Sequence, residues 1–216
     1  GRKVLGEIEL PGCSMVYPTG ERGFTTFCAD GTLTSISLDT EGKVASTTTT
    51  KPIHDIDNQA MFGMPAMVGK TAWFVTYRGI VRGIDLSGPV AKPLKKDFSV
   101  GTADGGQPEW RPGGWQVIAS DLTGRLYVLM SPYGREGSHK DASSEVWVLD
   151  PASKSRVARF ALKGPSVSIE VTHEATPRLV VARADSVIDI YDAASGTFVR
   201  TLGNHVAFNP LTISAM

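Results

Sequence analysis

Along the chain, short runs of β-branched and aromatic residues alternate with turn residues. No window of a dozen positions carries the i, i+3, i+4, i+7 apolar spacing of an amphipathic helix. The pattern predicts strands and no long helix. Four times an apolar strand ends in Asp, turns, and gives way to a strand of alternating character: Leu33 to Asp39, Ile80 to Asp85, Glu145 to Asp150 and Ser186 to Asp192. The Asp carboxylate can accept hydrogen bonds from backbone N–H groups of the turn, and Gly42, Gly88 and Gly196 offer a residue for the φ > 0 position. The third copy has Pro151 and no matching glycine, so its turn is expected to differ.

Ahead of three of these strands sits another, joined by a turn: Gly23–Cys28, Ala72–Tyr77 and Arg178–Ala182. Each unit then reads as an antiparallel meander, with the third lengthened by Ser131–Ser144. Val146 to Leu149 and Val187 to Tyr191 are largely apolar on both faces, as expected for sheets sandwiched between neighbours. A period of roughly 40–50 residues with about four strands per unit is the signature of a β-propeller. The expected fold is therefore all-β, a single propeller with four-stranded blades at approximately 13–50, 64–96, 115–161 and 167–202. A lone strand at 4–10 precedes them and His205–Met216 follows. Starting on the outermost strand of one blade and stopping on the innermost strand of another is the layout of a C-terminal piece of a larger ring. Seven blades at this repeat length would take about 350 residues. A self-closing four-bladed ring is the alternative.

Composition narrows the partners. Lys+Arg 22 balance Asp+Glu 22, so the excess positive charge that holds nucleic acid or anionic lipid is missing. No apolar run approaches the ~20 residues that span a bilayer, and neither nucleic acid nor membrane is an expected partner. The basic start Gly1-Arg2-Lys3 has no apolar core behind it, so a signal peptide is expected to be absent or already removed. Gly 23 and Pro 13 make the chain turn-rich, in keeping with the strand reading.

Candidate chemistry is sparse. If the first two strands form a hairpin around residues 18–23, pairs summing to 41 face each other, and Cys13 meets Cys28. That register permits a disulfide, which would place the protein in an oxidising compartment; two buried free thiols are the other reading. Gly63 to Thr71 resembles a phosphate loop but has five residues between its glycines where four are needed, and a strand follows where a helix should. His54, His139, His173 and His205 are scattered singly, so no metal site is expected. The pairs Asp55/Asp57 and Asp189/Asp192 read as solvated or turn-forming carboxylates. What remains is inserted material rich in hot-spot residue types: Trp110, Arg111 and Trp115 in 102–115, and Tyr133, Arg135 and His139 in 131–144. These six are candidates for a partner interface; Trp110 and Trp115 read equally well as plugs between blades.

Trp110-Arg111-Pro112-Gly113-Gly114-Trp115-Gln116, followed by His139-Lys140-Asp141-Ala142-Ser143-Ser144-Glu145-Val146-Trp147-Val148-Leu149-Asp150, resembles the heavy subunit of tryptophan tryptophylquinone amine dehydrogenases, the aromatic amine branch more than the methylamine one. Cys13 and Cys28, with Pro18 between them and Asp30-Gly31 after, sit where that family has a cysteine-containing hairpin. The resemblance runs in order over nearly the whole chain. It implies a periplasmic α2β2 enzyme that oxidises a primary amine to aldehyde and ammonia and passes electrons to a blue copper protein such as azurin or amicyanin. The quinone cofactor and the catalytic base belong to the small subunit, so no catalytic, cofactor-binding or metal residue is expected in this chain, and its four tryptophans are not the quinone precursors. The heavy subunit is a seven-bladed propeller scaffold. Other readings are a propeller that binds a protein or ligand without catalysis, or a metal-dependent propeller hydrolase such as a lactonase.

Overall fold

The computed structural model describes residues 4–101, 109–203 and 212–214. The first sheet is a meander of β1 (Cys13–Pro18), β2 (Gly23–Cys28), β3 (Leu33–Leu38) and β4 (Val44–Thr49). The second contains β5 (Ala66–Val68), β6 (Thr71–Val75), β7 (Ile80–Asp85), β8 (Lys92–Pro93) and β9 (Phe98–Ser99), the last two pairing separately with β7. The third combines β10 (Arg111–Pro112), β11 (Ile118–Ser120), β12 (Leu126–Ser131), β13 (Ser143–Asp150), β14 (Ser155–Val171), β15 (Arg178–Arg183), β16 (Ile188–Asp192) and β17 (Phe198–Leu202). All named strand pairs are antiparallel. One 3-10 turn, Ser138–Lys140, is the only helical segment among the described residues, and no described helix is long and apolar enough to cross a membrane.

Two meanders are thus joined into one sheet through β14. Its first part pairs with β13 down to Glu145↔Ala161, and its last part pairs with β15 from Ser166↔Arg183 onward, Ser166 also meeting Ser143 of β13. Between them lies a register break holding Gly164-Pro165, where the strand leaves one meander for the next. Residues 4–10 form no strand, in contrast to the lone strand expected there. An extended segment becomes a strand only when a neighbour satisfies its N–H and C=O groups, and no described strand pairs with it. The expected inner strand at His205–Met216 falls largely outside the described residues.

The core follows from the two-sided apolar strands. Leu126 to Met130 on β12 and Val146 to Leu149 on β13 are all buried, packing on both faces with Val117, Ile169, Val171 and Leu179. Each such side chain contributes about 1.5–3 kcal/mol by leaving water. A second cluster of Tyr17, Leu33, Phe74, Ile84 and Leu86 joins the first and second sheets. Beside it runs a buried chain of hydroxyls: Thr19 Oγ1 donates to Thr25 Oγ1 at 2.8 Å, Thr25 Oγ1 meets Ser35 Oγ at 2.8 Å, and Ala91 N donates to Ser35 Oγ at 3.0 Å. Every hydroxyl there has a partner, so the polar seam costs little and fixes the position of one sheet on the other.

Cys13 and Cys28 face each other across β1 and β2 and are joined in a disulfide. The register expected from the sequence holds for Cys13↔Cys28 and Ser14↔Phe27, then shifts by one residue at a bulge before Tyr17↔Thr25. Met15 takes the extra position with φ 64°.

Candidate functional site

In a meander the connections alternate between the two ends of the sheet, and here the ends differ in construction. One end is closed by short turns with an Asp at the corner. Asp39 Oδ1 accepts from the backbone N–H of Glu41 (2.8 Å) and Lys43 (2.9 Å), Asp85 from Ser87 (2.9 Å), Asp121 from Thr123 (2.8 Å) and Arg125 (3.1 Å), Asp150 from Ala152 (2.9 Å) and Asp192 from Ser195 (2.9 Å). Gly42 and Gly196 take the left-handed position, with φ 82° and 72°. Gly88 does not, because six residues separate β7 from β8 and the wider connection needs no left-handed corner. In the third copy Lys154 occupies that position with φ 56°, in place of the missing glycine. The hydrogen bonds hold several of these carboxyls below the usual range: Asp85 chiefly through Ser87, Asp150 through Ser153, Asp192 through Ser195.

The other end carries the long connections and all six interface candidates. The 3-10 turn is tied by Ser138, whose Oγ donates to Arg135 O at 2.8 Å and accepts from Arg135 N at 3.1 Å. His139, at its centre, stacks flat on Tyr77 of the second sheet, with ring centroids 3.9 Å apart and planes 6° from parallel. Burial, then the neighbouring Lys140, pulls His139 below its ordinary value and favours the neutral ring. Arg135 pairs with Asp141 at 2.6 Å, and Arg111 with Glu109 at 2.7 Å. A Cβ on Gly134 would sit 2.4 Å from Arg111 Cγ, so a glycine there is what lets the Arg111 side chain lie flat across the loop.

Arg111, Arg135 and His139 therefore converge, with Asp57, Asn58, Tyr77 and Arg78, around a water-sized cavity of about 20 Å³. Trp110 turns inward instead: its ring lies 5.3 Å from that of Trp147 and packs on the main core, with the Arg159 guanidinium 5.4 Å from its centroid. Trp115 and Tyr133 stay exposed at 54% and 74%. Tyr133 holds φ 63°, a left-handed conformation that costs a non-glycine residue about 1 kcal/mol or more and presents its ring outward. The residues 102–108, including Gly105 to Pro108, lie outside the description, as does His205. Sequence reasoning missed Tyr77, Arg78 and Asn58 as site residues and read Asp57 as a solvated or turn-forming carboxylate. The signal was indirect, since Tyr77 and Arg78 sit in the second unit at the connection equivalent to 131–144.

The reading of Asp189 as solvated is corrected by the structure. It is fully buried on β16, with Thr201 Oγ1 donating to Oδ1 at 2.6 Å and Arg183 Nη1 3.5 Å from Oδ2. Asp192 is the turn-forming residue it was expected to be. Among the described residues no three His, Cys, Asp or Glu side chains converge as metal ligands would.

Successive antiparallel meanders, packed face to face with their first strands side by side, are the blades of a partial β-propeller. The Neurospora crassa Pan2 WD40 domain has the same arrangement, with a TM-score of 0.52 at 13% identity over 88% of this chain and 49% of that one, a likeness of fold alone. The family model of the methylamine dehydrogenase heavy chain (MADH) matches residues 2–216, and the chain belongs to that family. The Methylorubrum extorquens methylamine dehydrogenase heavy chain is 28% identical over 99% of this chain and 52% of its own length. The Paracoccus versutus heavy chain is 31% identical over 90% of this chain and 46% of its own. The chain thus spans about half the length of these curated relatives.

Proposed function

We propose that this chain is the C-terminal part of the heavy subunit of a quinoprotein amine dehydrogenase, a seven-bladed scaffold that binds a small subunit through the end bearing Arg111, Trp115, Tyr133, Arg135 and His139. The family match over residues 2–216 carries this reading. The structure adds a reason for the choice of surface: one end is closed by short Asp turns, while the other displays exposed aromatic residues beside paired arginines, the composition of binding hot spots. In the complex a primary amine, with an aromatic amine preferred, is oxidised by two electrons to an aldehyde, with water supplying the oxygen and ammonia leaving. Tryptophan tryptophylquinone in the small subunit is the electron acceptor for that step, and a blue copper protein takes the electrons onward.

The tryptophans here suit packing rather than that cofactor. Trp147 is 4% exposed, and the Arg156 guanidinium lies 4.2 Å from its ring centroid, so the Trp110–Trp147 pair offers an amine no approach. The disulfide suits an oxidising compartment, and we place the complex in the periplasm as an α2β2 assembly.

The test is to isolate the native complex and record its intact masses and visible spectrum. A second, small, disulfide-rich chain and a quinone absorption that bleaches on adding amine are expected, faster with benzylamine than with methylamine. A single colourless species would overturn the assignment. Faster bleaching with methylamine would overturn the aromatic preference alone.

A further inference from the structure

The first strands of successive meanders are stitched together by residues at one repeat spacing. Ser120 Oγ donates to Met67 O at 2.8 Å, and His173 Nε2 lies 3.2 Å from Ser120 O, each pair being 53 residues apart. Beside this line lies a cavity of about 350 Å³, within the size range of small-molecule pockets. Its apolar walls include Met64, Met67, Ile118 and Ile213, and its ionisable groups are Glu170 and His173.

The polar groups have defined roles. A carbonyl oxygen can only accept, so His173 Nε2 carries the proton towards Ser120. Glu170 Oε1 accepts from Val171 N at 2.9 Å, and Oε2 from Gln116 Nε2 at 3.2 Å. Those bonds fix the carboxylate and leave each oxygen further acceptor capacity. Gln116 also grips the far wall, accepting from Ile213 N and donating to Ile213 O, both at 3.0 Å. Burial raises the Glu170 carboxyl above its usual range, a penalty on the ionised form that a cation beside it would relieve. An anion would be repelled by Glu170. A hard metal ion needs six or more oxygen ligands, and this pocket holds one carboxylate.

We propose that this pocket between the inner strands binds a small organic ammonium ion, its N–H groups donating to the Glu170 carboxylate and its apolar part lying along Met64, Met67 and Ile118. This goes beyond the dehydrogenase reading and does not depend on it, because binding is read on the chain itself.

The probe is tert-butylammonium, which has no hydrogen on the carbon bearing nitrogen and so cannot be oxidised to an aldehyde; tert-butanol is its neutral isostere. Calorimetric titration of the full chain at pH 7 is expected to show one saturable site for tert-butylammonium and none for tert-butanol. Glu170→Gln, which keeps the shape, is expected to weaken binding at least about tenfold, as loss of a charge-assisted hydrogen bond does. Glu170→Gln should keep the far-UV circular dichroism of the parent. Absence of saturable binding would overturn the proposal, as would equal affinity in Glu170→Gln. So would tight Ag⁺ binding that survives Glu170→Gln and is lost in Met64→Leu/Met67→Leu, which would make the pocket a soft-metal site.

Discussion

Asp189 offers a sharp test of how the last meander is held. It sits on β16 with none of its surface exposed. Thr201 satisfies Oδ1, but Oδ2 has no hydrogen bond, and neither does the buried Nε of Arg183. The guanidinium stands 3.5 Å away through Nη1 while Nη2 is held by Asp185 at 2.5 Å. It can lie there because the neighbouring strand has Gly164, where a Cβ would come within 2.9 Å of Nε. Arg183 is therefore the compensating charge for a buried carboxylate.

Removing one member of such a pair leaves the other uncompensated, at a cost of about 3–5 kcal/mol, whereas removing both charges together is close to neutral. Arg183→Met keeps the aliphatic stem and should lose that amount. Asp189→Asn keeps an oxygen for Thr201, so the double variant Arg183→Met/Asp189→Asn should lie within about 1 kcal/mol of the parent. Urea unfolding followed by far-UV circular dichroism reads the difference. With a slope of about 2–3 kcal/mol/M, the single Arg183 variant should unfold about 1–2 M earlier, and the double variant should recover most of that shift. If Arg183→Met unfolds where the double variant does, Asp189 is not held by Arg183 and the reasoning fails.

Replacing both cysteines by serine opens a loop of 15 residues and should cost about 3 kcal/mol in the chain-entropy account; an unchanged urea midpoint would contradict it. Lys154→Gly should stabilise by about 0.5–1 kcal/mol by relieving its left-handed backbone, while Gly196→Ala should destabilise by more than about 1 kcal/mol, because its Cβ would meet the Phe160 ring at 2.4 Å. Equal melting temperatures for these two variants would be the adverse result. Acidification should destabilise: Asp30, Asp55, Asp85, Asp150 and Asp192 are held below their usual value, chiefly by hydrogen bonds from Thr32, Asn58, Ser87, Ser153 and Ser195, while Glu170, raised by burial, opposes them. Stability from depressed carboxyls is complete above the unfolded value near about 4 and is lost as pH falls through the folded values, while His54 and His139, both lowered chiefly by burial, cost stability as pH falls below about 6.5, so the melting temperature should decline gently from about pH 6.5 and steeply below about pH 4.

The parts of this fold written into local chemistry were readable. An Asp at the end of an apolar strand needs only the next few N–H groups to make a turn, and a glycine three or four residues later either meets a tight corner, as Gly42 and Gly196 do, or lies in a wider one, as Gly88 does. The cysteine register was legible for the same reason, being set by hairpin geometry. Its break at Met15 was not, because the cause is distant in sequence. The extra residue lets Tyr17 turn onto the second sheet, where its hydroxyl donates to Gly63 O at 2.6 Å, and Met15 Cε comes within 2.6 Å of where a Cβ on Gly63 would be. Asp189 and the strand Ser155–Val171 failed likewise: both depend on a neighbouring strand that sequence order does not reveal. The site behaves in the same way. Arg135 and His139 are visible as an insertion, but Tyr77, which orients His139, belongs to another repeat.

That difference explains why the two ends can serve different purposes. Each Asp turn satisfies its own backbone from its own residues, so it closes whatever its neighbours do. At the opposite end separate connections satisfy one another: Gly114 N donates to His139 O at 3.0 Å and Gly134 N to Glu109 O at 2.7 Å, both tying the third unit's long connection to the segment that leads into it, and Trp115 N to Val167 O at 2.5 Å, reaching the fourth unit. Such a surface takes its shape from several segments at once, of which Trp110 and Tyr77 also pack on the core that holds Leu126 to Met130 and Val146 to Leu149, while Trp115 and Tyr133 stay exposed. Substitutions at exposed Trp115 or Tyr133 can therefore change what docks there at little cost to folding, whereas a change at Tyr77 or Gly134 moves His139 or Arg111 and alters the surface without touching its exposed residues. A partner-binding role placed on this end can diverge while the blades persist, as expected of a chain that shares its fold with a WD40 domain at 13% identity.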